Sequence, residues 1–120
     1  MPSARTLDLL TLLALGALAD EKLPDIEVKK FAHAAQILLP DDDKLTLPEL
    51  ESWLRDNRQR ITEQYNGPER LADIQSLFLR LSKGYRRSDI KDGLAAISHS
   101  DGEYDLNEKA LISLMDAYWS

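Results

Sequence analysis

Ala17-Leu18-Ala19-Asp20-Glu21-Lys22-Leu23-Pro24-Asp25-Ile26-Glu27 near one end of the chain is echoed by Ser98-His99-Ser100-Asp101-Gly102-Glu103-Tyr104-Asp105-Leu106-Asn107-Glu108 near the other. In each, a helical pattern closing in mostly small residues runs into an Asp. A Leu or Tyr follows three positions on (Leu23, Tyr104), and a Glu follows at seven (Glu27, Glu108). The offset is a constant 81 residues, from Asp20 to Asp101 and from Glu27 to Glu108. Self-similarity of this kind marks a duplicated supersecondary unit, here a helix-loop-helix. It predicts a pseudo-repeat around residues 6–39 and 88–119, within one domain spanning residues 1–120.

Outward from these junctions the apolar spacing is helical throughout, and no stretch alternates with period two, so the expected fold class is all-α. A first helix over Thr6–Ala19 is apolar nearly all round, as a central helix must be, with Leu7, Leu10, Leu13, Ala14, Ala17 and Leu18 on adjoining faces. A second over Asp25–Leu39 turns Val28, Phe31, Ala32, Ala35, Leu38 and Leu39 inward and stops at Pro40. Thr46-Leu47-Pro48-Glu49 spells a capping box with proline in the first turn, opening a third helix through Leu50, Trp53, Leu54, Ile61 and Tyr65 to the Asn66-Gly67-Pro68 break. A fourth runs over Pro68–Lys83, with Leu71, Ile74, Leu77, Phe78 and Leu81 in one stripe and Gly84 as a left-handed cap. Ser88 is the expected cap of a fifth helix through Ile90, Leu94 and Ile97 to Ser98, and Asp105 that of a sixth carrying Leu111, Leu114, Met115 and Tyr118. Short connections make consecutive helices antiparallel.

With 120 residues, 43% hydrophobic and 30% charged, the chain buries enough surface to hold its own core. The absence of cysteine excludes disulfides, thiolate metal sites and cysteine nucleophiles. A formal charge of -6 disfavours nucleic acid, which needs a basic footprint. That charge is segmented: residues 1–54 carry 10 acidic and 5 basic side chains, residues 55–91 carry 5 and 9, and residues 92–120 carry 6 and 1. The apolar run Leu9–Leu15 ahead of Ala17-Leu18-Ala19 looks like a secretory leader, but Asp8 interrupts its approach and the run is too short to span a bilayer. Cleavage after Ala19 would also delete the helix that the first repeat needs.

Glu27 and Glu108 fall in first helical turns, where the helix dipole and free N–H groups favour a carboxylate. Asp20 and Asp101 end helices, where the dipole repels an anion. A carboxylate placed there twice needs a partner. Two roles fit: it accepts hydrogen bonds from loop N–H groups, or it joins the Glu and helix-end carbonyls around a hard cation. An EF-hand is excluded, because counting from Asp101 the required glycine and glutamate positions hold Leu106 and Ile112.

The Asp-Gly-x-hydrophobic-x-x-x-Glu pattern near both ends of a helical chain of this length resembles the TerB-like family, associated with tellurite resistance and stress responses. The resemblance implies a bundle of six or seven helices in which two helical hairpins face each other across a pseudo-twofold axis. It also implies a non-catalytic, cytoplasmic, metal-responsive interaction module with a protein partner associated with a membrane. The metal ligands it implies are Asp101, Glu108, Asp20 and Glu27, holding Ca2+, Mg2+ or Mn2+ in preference to Zn2+. No organic cofactor or small-molecule substrate is expected. Asp101, Gly102, Tyr104 and Glu108 follow the family element; Asp20, Leu23 and Glu27 do so with Glu21 at the glycine position and Lys22 and Pro24 in the loop. The alternative is a metal-independent adaptor whose acidic loops are purely structural.

His99, two residues before Asp101, suits a dipole partner at a helix end as well as a nitrogen ligand. His33 lies six residues beyond Glu27, about 240° round the helix, and belongs to the surface or to packing. No nucleophile-base-orienter set is recognisable. The basic middle, with Arg55, Arg58, Arg60, Arg80, Lys83, Arg86, Arg87 and Lys91, is either a solvated face or a surface for a protein or membrane partner.

Overall fold

Apolar residues surrounding one helix on all sides require other helices to pack around it, and the computed structural model places α1 (Ala4–Ala17) in that position. Residues 4–17, 25–39, 41, 44–65, 68–98, 113 and 116–117 are described. They form α1, α2 (Asp25–Leu38), α3 (Leu47–Gln64), α4 (Arg70–Leu81) and α5 (Arg87–Ser98), with no strand among them. α1 packs against each of the other four, and α2 packs in addition against α3 and α5. The molecule is compact, with a radius of gyration of 13.0 Å. Among the described residues no helix is long and apolar enough to cross a membrane.

Leu9, Leu10, Leu12, Leu13, Ala14 and Ala17 are fully buried, so the run that imitates a leader is the middle of the core. Leu7, expected among the adjoining apolar faces of this central helix, is 40% exposed. Thr6 and Thr11 take up buried positions on this helix instead. The Thr11 hydroxyl donates to the Leu7 carbonyl at 2.7 Å, which satisfies a polar group that would otherwise be costly to bury. Phe31 on α2 stacks on Trp53 of α3, centroids 6.0 Å apart, and Ile74, Leu77, Phe78 and Leu81 bury the inner stripe of α4.

The start of α3 follows its capping box. Thr46 Oγ1 accepts from the Glu49 N–H at 3.3 Å, and the Thr46 N–H donates to Glu49 Oε1 at 3.2 Å. Two expected caps differ. α5 begins at Arg87, ahead of Ser88, with the Ile90 N–H donating to the Arg86 carbonyl at 3.2 Å. α4 closes through Ser82 in the right-handed region, and the Gly84 N–H donates to the Leu81 carbonyl at 3.0 Å. Gly84 has no left-handed backbone. It provides room, since a Cβ there would lie 2.7 Å from Arg5 Nε. The sixth expected helix lies outside the described residues except for helical positions 113, 116 and 117.

Candidate functional site

Of the four expected ligands, Glu27 is described; Asp20, Asp101 and Glu108 lie outside the described residues, as does His99. Glu27 is 2% exposed and is the buried carboxylate among the described residues, whereas Asp25, two positions earlier, is exposed and pairs with Arg55 at 3.3 Å. Its place in the first turn of α2 puts it at the positive end of the helix dipole. A carboxylate taken out of water is stable only when hydrogen bonds, a positive charge or a cation face it. Among the described residues no three His, Asp or Glu side chains converge as a group able to hold an ion.

Two glycines fix how α1 and α5 run relative to each other. Arg5, at the start of α1, lies against Gly84, just ahead of α5. Gly16, near the end of α1, lies against Leu94 in the second half of α5, where a Cβ would come 2.9 Å from Leu94 Cδ2. The two helices therefore run in the same general direction, and their described ends, Ala17 and Ser98, fall at one end of the bundle. Asp20 and Asp101 each follow three residues after those ends.

Leu9 and Leu13 of α1 correspond to Ile90 and Leu94 of α5, and all four are buried. At the described positions further along the two elements, burial differs. Ala32 and Ala35 are buried, but their counterparts Ser113 and Asp116 are exposed. Asp116 accepts ion pairs from Lys91 at 3.5 Å and Arg87 at 3.7 Å.

His33 is exposed and lines a shallow groove of about 180 Å3 with Lys29, Ala32, Leu47 and Glu51, so of its two expected places it takes the surface. A larger groove of about 210 Å3, which the sequence reading missed, lies between α2 and α5. Its signals in the sequence were Ile37, off the inward stripe of α2, and Gly93 in mid-helix. No family model, curated protein or solved structure matches the chain.

Proposed function

We propose that the chain is a non-catalytic interaction module of the TerB-like kind that holds a divalent cation, Ca2+, Mg2+ or Mn2+, at its Asp-x6-Glu elements. The observation that carries this reading is Glu27, a carboxylate sequestered at 2% exposure at the Glu position of the first element. The common end of α1 and α5 supports it, because the two helices that lead into the elements then end on one side of the bundle, which suits one ion shared by Asp20, Glu27, Asp101 and Glu108. The buried counterparts Leu9/Ile90 and Leu13/Leu94 support the finer fold: two hairpins about a pseudo-twofold axis, six or seven helices, one domain. The proposed setting is cytoplasmic, in a stress response such as tellurite resistance, with a protein partner at a membrane.

A second reading has its own observation. Glu27 sits in a first helical turn, where backbone N–H groups alone stabilise an anion, so the elements serve equally as loop braces in a metal-independent adaptor. Calorimetric titration with Ca2+, Mn2+ and Zn2+ separates the two. The cation reading expects saturable binding in the wild type that is lost in Asp101→Ala/Glu108→Ala; wild-type protein that binds none of the three leaves the adaptor.

A further inference from the structure

The groove between α2 and α5 has an apolar floor of Ala34, Leu38 and Gly93. Gly93 shapes it, because a Cβ there would lie 3.0 Å from Leu38 Cδ1 and 3.4 Å from Leu13 Cδ2, so α5 contributes bare backbone where the helices approach. On one lip stands Ile37, 79% exposed and the most exposed large apolar side chain among the described residues. On the other stand Asp89 and Asp92. An apolar side chain held in water beside a concave apolar floor, rimmed by polar groups, is the usual makeup of a recognition surface.

Charge narrows the occupant. Asp89 and Asp92 are exposed, one turn apart, and form no ion pair among the described residues. α5 does carry cations, but Arg87 and Lys91 both pair with Asp116. At about 100° per residue, positions 89, 92 and 93 lie roughly 140–240° round the helix from position 87, on the side away from those pairs. The groove therefore faces outward with two uncompensated carboxylates. They repel nucleic acid and anionic lipid, and a bare cation would leave Ile37 in water.

We infer that this groove receives an amphipathic helical segment of a partner protein, whose bulky apolar side chain packs between Ile37 and Gly93 and whose Lys or Arg residues pair with Asp89 and Asp92. The inference rests on the chain being an interaction module, and it adds the surface and the chemistry of the partner. It does not depend on the cation.

The test uses three fluorescent helical peptides with paired Leu, Phe or Met anchors one turn apart and flanking Lys and Arg, titrated by anisotropy at low salt, in chelator and in Mn2+. At least one should saturate in the micromolar range. Ile37→Ser and Asp89→Asn/Asp92→Asn should each weaken that binding about ten-fold with unchanged circular dichroism, and a peptide with Glu in place of Lys and Arg should not bind. Failure of all three peptides to saturate, equal affinity in the variants, or equal binding of the acidic peptide would overturn the inference. So would wild-type self-association in sedimentation that Ile37→Ser abolishes, since a second copy would then be the occupant. Loss of cation binding with peptide binding intact in chelator would count against the cation reading alone.

Discussion

Arg80 grips Asp8 with two nitrogens, Nε donating to Oδ2 at 3.1 Å and Nη2 to Oδ1 at 3.3 Å, which ties the last turn of α4 to α1. Asp8 is 21% exposed and Arg80 half-exposed, so the fork geometry is favourable while solvent still screens the pair. A double-mutant cycle with Asp8→Asn and Arg80→Gln, followed by urea unfolding, should return a coupling of about 0.5–1 kcal/mol at low salt. It should shrink toward zero at roughly 1 M salt, where the Debye length falls to about 3 Å.

That pair also explains what became of the charge segmentation. Asp8–Arg80, Asp25–Arg55, Arg87–Asp116 and Lys91–Asp116 each join the basic middle of the chain to one of its acidic ends. Part of the polarity that suggested an external partner is thus spent inside the fold.

Tyr65 is buried at the end of α3, and desolvation pushes its phenol above 10.0, with Asp73 and Asp8 adding to the rise and Arg80 and Arg60 opposing it. The fold favours the neutral phenol. Its contribution to stability is complete below about pH 10, the unfolded value, and is lost as pH climbs through the higher folded one. Urea midpoints measured from about pH 8 to pH 11 should fall more steeply for wild type than for Tyr65→Phe. Parallel curves would show that the phenol is not the group responsible.

Glu49 behaves in the opposite sense. Its carboxylate accepts from the Thr46 N–H and hydroxyl, the latter at 2.9 Å, and these bonds hold it below its ordinary 4.5. The stabilisation it gives is present above that value and disappears as pH drops through the lowered one. Glu49→Gln should therefore lose part of the acid dependence of unfolding. Thr46→Ala, which removes the cap altogether, should cost about 1 kcal/mol at neutral pH by thermal or urea unfolding.

How far the sequence could be read depended on whether the deciding contacts were local. The start of α3 was legible because both partners of its cap, Thr46 and Glu49, lie three residues apart. The stripe of α4 was legible because Ile74, Leu77, Phe78 and Leu81 follow helical period. Ser88 misled because it is a competent cap in isolation, whereas burial of Ile90 and the Arg87–Asp116 pair accompany a start two residues earlier than that cap implies. Of the candidate site, the pattern Asp20, Glu27, Asp101, Glu108 was legible, and the burial of Glu27 was not, since first-turn glutamates are ordinarily solvated. Ile37 and Gly93 were the local signs of the α2–α5 groove, but nothing local joined them, because Ile37 and Asp89, 52 positions apart, line it from two different helices.

Gly16 and Gly84 make the sharpest comparison, because an added Cβ meets a side chain at nearly the same distance in both, 2.9 Å and 2.7 Å, yet the outcomes should differ. At Gly16 the obstacle is Leu94, 1% exposed and enclosed by the core, so it has nowhere to move. Overpacking there costs about 1–3 kcal/mol, against a gain of about 0.5–1 kcal/mol from replacing a helical glycine. Gly16→Ala should be destabilising by about 1–2 kcal/mol net, and Leu94→Val in the same chain should recover part of that loss. At Gly84 the obstacle is the far end of Arg5, which is exposed and free to swing into solvent, and the backbone there is one that alanine adopts. Gly84→Ala should stay within about 0.5 kcal/mol of wild type. Thermal unfolding of the two single variants and the Gly16→Ala/Leu94→Val double variant checks the contrast; an equal loss at both glycines would mean that α1 is not held against α5 as the structure places it.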